Sequence, residues 1–167
     1  MRQPRLLSSA AWSNGTRRAE ATRVLHAYST VVDALVPVMQ QCEGAIVTID
    51  GRGGVGKTTL GRYLAWRFNV TLIETDLFLI PAQDYLIHLD DQINRIIERR
   101  VTTPLPVLVE GISMLQLMQR INRVADFSIY VTRPGRASSA RMDRRLSAYE
   151  EAFDPSAKAS IGVAIDA

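Results

Sequence analysis

The chain alternates short β-branched runs with longer segments in which apolar residues recur every three or four positions. The first run is residues 45–49, which lead into Asp50 and Gly51. Such runs predict buried strands, whereas the longer spacing predicts helices that bury one face. By the same pattern, further strands are predicted at residues 71–73, 107–109, 127–131 and 161–165.

Helical spacing precedes the first strand and recurs in the segments between the others. It predicts an N-terminal helix at 18–41, a helix with Leu60, Leu64 and Phe68, a helix with Leu89, Ile93, Ile96 and Ile97, a helix at 113–121 and a polar helix at 136–151. Pro37 should kink or shorten the end of the first helix. Alternating strands and helices predict an α/β fold with three layers and a mostly parallel five-stranded sheet, whose ligands lie beyond the carboxyl ends of the strands.

The composition is that of one globular domain. Of 167 residues, 47% are hydrophobic and 22% charged, which excludes a disordered chain. We expect a domain over residues 18–167, made of the N-terminal helix and a core at 45–167. Residues 1–17 are basic and contain no acid. That pattern resembles a mitochondrial transit peptide, but we favour a basic N-terminal arm.

The charge and the cysteine content limit which binding partners and which cellular compartment we expect. The net charge is only +3, lysine occurs only at positions 57 and 158, and no basic run is unbroken, so we expect no nucleic-acid partner. No apolar run reaches the roughly 18 residues that span a bilayer, so we expect no membrane association. The single cysteine, Cys42, excludes an internal disulfide and favours a cytoplasmic location. A homo-oligomer remains open.

The segment after the first strand matches the phosphate-loop pattern G-x-x-x-x-G-K-[ST] at every fixed position. Its residues are Gly51, Arg52, Gly53, Gly54, Val55, Gly56, Lys57 and Thr58, and Thr59 follows them. Glycines let the backbone N–H groups turn toward an anion, and the helix that follows adds its positive end. Lys57 can pair with the β- and γ-phosphates of ATP, and the Thr58 hydroxyl can coordinate Mg²⁺.

Two acids are predicted at the edge of the sheet that carries this loop. Asp76 follows the second strand, and Glu110 ends the third. A kinase needs one acid to accept the proton of the attacking hydroxyl and another to help hold Mg²⁺. We assign Asp76 the first role and Glu110 the second, against the alternative of solvated carboxylates at strand ends. His26 and His88 fall in predicted helical segments and are assigned packing or surface roles.

These motifs resemble the uridine kinase-like family of P-loop kinases, which includes relatives that act on pantothenate and phosphoribulose. The resemblance covers residues 45–166 and rests on GRGGVGKTTL at 51–60, TDLFL at 75–79, VLVEGI at 107–112, ADFSIYV at 125–131, RMDRR at 141–145 and a closing Y…FDP at 149–155. It implies that Asp76 is the catalytic base, with Phe78 in the substrate pocket. It also implies that an arginine-rich helix closes over the phosphates through Arg141, Arg144 and Arg145, whose spacing places them on one helical face.

Three departures separate the chain from the family pattern. Leu77 and Leu79 stand in a segment that in the family reads D-x-F-Y, and Ala148-Tyr149 stand where Arg-Asp is usual. The stretch from Phe78 to Leu89 is short for the nucleoside-binding hairpin of uridine kinases. The identity of the acceptor therefore does not follow from the resemblance.

The leading hypothesis is an ATP- and Mg²⁺-dependent kinase that phosphorylates a hydroxyl of a small metabolite, such as a nucleoside or another polar alcohol. The chain lacks the N-K-x-D motif of Ras-type GTPases and the Asp-Glu strand end of motor ATPases. Two alternatives stay open, a non-catalytic module that binds ATP for regulation and a stand-alone NTPase.

Overall fold

The computed structural model describes residues 14–41, 43–80, 87–103, 105–135 and 140–165. The helices are α1 Asn14–Gln41, α2 Lys57–Phe68, α3 Asp90–Val101, α4 Met114–Arg120, α5 Ala140–Phe153 and α6 Pro155–Lys158. The strands are β1 Ile46–Asp50, β2 Thr71–Glu74, β3 Val107–Glu110, β4 Phe127–Thr132 and β5 Ile161–Ala164. A single 3₁₀ turn, Thr75–Phe78, follows β2.

The five strands form one sheet in the order β2-β3-β1-β4-β5, and every neighbouring pair is parallel. The predicted five-stranded sheet is therefore confirmed, with strand ends within a residue or two of the predicted ones. The register pairs Ile49 with Glu110 and Asp50 with Tyr130. The carboxyl ends of β3 and β4 consequently flank the end of β1, where the chain order reverses and ligands bind in such sheets.

Side chains alternate across the central strands and fill one core on each face of the sheet. Val47 and Ile49 of β1 pack on the face covered by α1 and α2, whereas Ile46 packs on the face covered by α3 and α4. β1 and β3 are buried along their whole length, as expected for strands covered on both faces. The three-layer α/β fold is thus confirmed.

α1 begins earlier than the sequence suggests and ends at the predicted residue. It begins at Asn14 rather than at residue 18, and it continues past Pro37 to Gln41. Pro37 therefore does not shorten the helix, and the alternative expectation of a kink there stays a prediction. Pro37 lies on the exposed side of the helix, while its buried face is anchored to the sheet by Val31 and Leu35. Tertiary packing of that face outweighs the backbone hydrogen bond that proline removes.

The polar helix predicted from residue 136 is seen from Ala140, and residues 136–139 lie outside the described part of the chain. His88 is not helical: it forms a bridge with Leu79 just before α3, and its side chain is buried. In the described ranges, no helix combines the length and apolar character needed to cross a membrane.

Because α1 packs on the sheet, we expect it to belong to the unit that unfolds cooperatively. Leu35 is fully buried against the core, so Leu35→Ala should lower the free energy of unfolding by about 3 kcal/mol, from lost transfer energy and the cavity it leaves. Urea unfolding followed by circular dichroism measures the change. Asp33→Ala, an exposed position on the same helix, is the control and should leave the midpoint almost unchanged. An unchanged midpoint in the Leu35 variant would show that α1 is not part of that unit.

Candidate functional site

The loop between β1 and α2 has the backbone shape of an anion cradle. Gly51, Gly54 and Gly56 have φ values of 144°, 74° and 102°, in the region that favours glycine. α2 begins immediately afterwards at Lys57. The predicted context, a strand before the loop and a helix after it, is observed. A glycine-rich loop of this shape directly before the positive end of a helix suits a phosphate.

Lys57 is buried beneath this loop, with 7% of its surface exposed. Its Nζ donates a hydrogen bond to the carbonyl oxygen of Arg52 at 2.9 Å. Burial lowers the pKa of Lys57, while the nearby carboxylates of Glu110, Asp76 and Asp50 act in the opposite direction. A phosphate bound in the loop would favour the charged ammonium further.

Thr58 and Glu110 form an oxygen pair beside the loop. The Thr58 hydroxyl donates to Glu110 Oε1 at 2.8 Å, and Glu110 is almost completely buried. Burial raises the pKa of Glu110, whereas the hydrogen bond from Thr58 and the charge of Lys57 lower it.

This oxygen pair suits magnesium. The described residues contain no group of three or more His, Cys, Asp or Glu side chains arranged around one metal. Magnesium is commonly held by only one or two protein oxygens together with water and substrate phosphates, so Thr58 and Glu110 fit that mode of binding.

Asp76 lies on the exposed side of the 3₁₀ turn after β2. The turn is packed tightly against the end of β3, because a Cβ atom at Gly111 would lie only 1.9 Å from Thr75 Oγ1. Only glycine therefore allows β3 to end this close to the turn. This contact places Asp76 at the same edge of the sheet as Glu110.

The phosphate loop and Asp76 line one cavity of about 440 Å³. Small-molecule sites commonly have this size. Among the described residues its walls are Gly53, Gly54, Gly56, Lys57, Thr58, Thr59, Asp76, Leu79, Ile112 and Arg133. Sequence reasoning missed Arg133, Leu79 and Ile112. A usable signal for Arg133 was its position directly after the fourth predicted strand, where side chains reach the ligand-binding edge.

The predicted arginines whose side chains the structure describes do not line this cavity. Arg52 turns away from the cavity and pairs with Asp143 and Glu150 of α5. Arg144 is exposed, and Arg145 lines a separate depression with Gln116 and Tyr149. The side chain of Arg141 lies outside the described part of the chain. The roles assigned to Arg141, Arg144 and Arg145 stay predictions.

Asp50, at the end of β1, connects the loop to two helices. Its carboxylate accepts hydrogen bonds from the backbone N–H groups of Gly51 at 2.7 Å and Met114 at 3.1 Å, and from the Tyr149 hydroxyl. Burial raises the pKa of Asp50, and these hydrogen bonds oppose the shift. Asp50 therefore holds the start of the loop against α4 and α5.

Solved structures of other proteins share the fold of this chain. No family model and no curated protein sequence matches the chain. A solved structure described as a possible uridine kinase from Bacillus stearothermophilus is 14% identical, with a TM-score of 0.58 over 85% of this chain and 97% of that one. A sugar kinase from Janibacter is 17% identical, with a TM-score of 0.51 over 73% and 84%. The expected resemblance to P-loop kinases is confirmed as a similarity of fold.

The burial of Glu110 predicts how the free energy of unfolding depends on pH. Because its pKa is raised above the ordinary 4.5, its neutral form stabilises the fold at acidic pH, and that contribution is lost as pH rises through the raised pKa. Glu110→Gln imitates the neutral form, so without ligand it should raise the free energy of unfolding by about 1 kcal/mol at neutral pH. Thermal unfolding at acidic and neutral pH measures the difference, which should disappear at acidic pH. A lower midpoint than wild type at neutral pH would show that the charged carboxylate is stabilising.

Proposed function

We propose that this chain is an ATP- and Mg²⁺-dependent kinase that transfers the γ-phosphate of ATP to a hydroxyl of a small metabolite. One observation carries the proposal: the phosphate loop and the separate acid Asp76 line the same cavity. A loop alone suits any nucleotide-binding protein, but phosphoryl transfer to an alcohol also needs a group that accepts the proton of the hydroxyl.

In this proposal the nucleotide lies with its phosphates in the loop. The amides of residues 52–57 and the ammonium of Lys57 would hold the β- and γ-phosphates, as the buried cation and the positive-φ glycines favour. Thr58 and Glu110 would hold magnesium, which neutralises phosphate charge when it is bound.

The acceptor would lie between Asp76 and the opposite wall of the cavity. Asp76 would orient the hydroxyl and take its proton. Leu79 and Ile112 would contact the apolar part of the molecule. Arg133 is half-buried, and no ion pair within the described residues involves it. Its guanidinium would therefore be available to the transferring phosphoryl group or to an anionic acceptor.

The descriptions of the structures with a similar fold support a small polar alcohol as the acceptor class. The structures compared above are described as a possible uridine kinase and a sugar kinase. Closure of the site by Arg141, Arg144 and Arg145 remains part of the proposal, as does a cytoplasmic protein without a nucleic-acid or membrane partner.

Asp76→Asn provides the central test of catalysis. Without a base the variant should lose transfer by about 10²-fold or more, while its affinity for MgATP stays within a few-fold of wild type. An assay of ATP consumption with a panel of nucleosides, sugars and other small alcohols measures the first effect. Stabilisation of the variant against heat by MgATP measures the second.

The outcomes of this assay separate the alternatives. Consumption of ATP that needs no acceptor would identify a stand-alone NTPase. Binding without turnover of any acceptor would identify a regulatory module. If the Asp76 variant no longer binds MgATP, then Asp76 belongs to the nucleotide site and the assignment of a base is wrong.

Arg133 provides a second test, independent of the base. Arg133→Ala should lower kcat/KM for the acceptor reaction by about tenfold or more, because a cation would be lost from the cavity that holds the transferring group. The matched control is Arg95→Ala on α3, an exposed arginine outside this cavity. Steady-state kinetics of both variants decide the point. Equal kcat/KM values for Arg133→Ala and wild type would exclude a role for Arg133 in the reaction.

A further inference from the structure

Helix α5 turns an acidic and polar face toward the phosphate loop. Asp143, Ser147 and Glu150 are one turn apart, and all three contact the guanidinium of Arg52. Arg52 Nε and Nη2 donate to the two oxygens of Glu150 at 2.9 and 2.6 Å, and Nη1 donates to Asp143 at 3.2 Å. This bidentate contact fixes both the distance and the orientation of the guanidinium.

A residue of the sheet also holds the carboxylate of Glu150. The Tyr130 hydroxyl, on β4, donates to Glu150 Oε1 at 2.9 Å. The hydrogen bond from Arg52 lowers the pKa of Glu150, so the carboxylate is charged at neutral pH. The side chains of Arg52 and Glu150 are 36% and 27% exposed, and water screens such a pair less than it screens a fully exposed one.

Arg52 is also the residue that holds Lys57. The Lys57 ammonium donates to the backbone carbonyl of Arg52, so the position of this peptide group determines where the ammonium lies. The side chain of Arg52 is anchored on α5, and its backbone anchors the lysine. The contacts therefore run without a break from Glu150 through Arg52 to Lys57.

A second contact holds the other side of Gly51. Tyr149, the neighbour of Glu150 on α5, donates its hydroxyl to Asp50, and the same hydroxyl accepts the backbone N–H of Leu115 at 3.2 Å. Asp50 and Arg52 flank Gly51 in the chain. α5 thus contacts the phosphate loop on both sides of Gly51.

We propose that Glu150 and Asp143 are positioning residues, which act through Arg52 to set the shape of the phosphate loop and so its affinity for MgATP. Only the identity of the nucleotide rests on the function proposed above. In this view α5, from Asp143 in its first turn to Glu150 in its last, is a fixed brace of the loop. The brace holds the loop amides and Lys57 ready for phosphate, and it lowers the ordering cost of binding.

Glu150→Gln tests this inference with two measurements on the full chain. The Kd for MgATP, measured by titration calorimetry, should rise about tenfold, a size usual for coupled neighbours in one network. Amide hydrogen exchange at residues 52–57, measured without nucleotide, should become faster, because the loop is less restrained. Arg52→Gln should show both effects, and the double variant should resemble Arg52→Gln alone.

A matched control is available in the ion pair that joins α4 to α3. Arg120 donates to both oxygens of Asp90 at 2.7 and 3.1 Å, and the pair is about as exposed as that of Arg52. Asp90→Asn removes a similar ion pair in which no residue of the loop takes part, so it should leave both the Kd and the loop exchange unchanged.

Two results would overturn the inference. One is loop exchange and a Kd in Glu150→Gln that match wild type. The other is the same rise in Kd in Asp90→Asn, since general destabilisation would then explain the effect. Failure to find an acceptor would refute the proposed kinase but leave this inference standing. If wild type bound no MgATP, the exchange of the loop amides would still decide it.

Discussion

No side chain fits at residue 51, because a Cβ atom there would lie 2.3 Å from the carbonyl oxygen of Val131 in β4. This close approach brings the phosphate loop against the carboxyl end of the neighbouring strand, at the centre of the sheet. The rest of the site follows from it. The loop turns over the end of β1, α2 starts at Lys57, and Glu110 of β3 comes within hydrogen-bond distance of Thr58. Arg133 follows β4 on the other side of the same loop.

The site holds more charge in its interior than a protein core usually does. Burial lowers the pKa of Lys57 and raises the pKa values of Glu110 and Asp50, so the charged form of each group is less stable here than it is in water. The unliganded fold bears this electrostatic cost. A bound metal and triphosphate would supply partners for both signs of charge, which is how a binding site can be costly for folding and favourable for the ligand.

Local patterns were enough to predict β1, the phosphate loop and α2, because β-branched residues, glycines and the four-residue spacing of Leu60 and Leu64 each favour one local structure. The parallel sheet followed from the alternation of strands and helices. The end of α1 at Gln41 also followed from the helical spacing, and Pro37 does not shorten the helix, since packing of its buried face outweighs one missing hydrogen bond. His88 was predicted to be helical because the apolar spacing of α3 includes its neighbour Leu89, but the helix begins only at Asp90.

The parts of the site that depend on long-range contacts were harder to predict. The acids of α5 are as visible in the sequence as its arginines, but their partner Arg52 lies about a hundred residues earlier in the chain. Spacing alone assigned Arg144 and Arg145 to one face and could not tell which face meets the loop. Arg133 stands alone after its strand, and only the order of the strands places it beside the loop.

The central claim is that this loop and its buried lysine bind the phosphates of a nucleoside triphosphate. Calorimetric titration of MgATP into the wild-type chain and into Lys57→Met tests it most directly. The account predicts binding to one site per chain in wild type and a loss of affinity of about 10²-fold or more in the variant, because a buried charge pair would be lost. Absence of heat in wild type, or equal affinity in the two proteins, would contradict it.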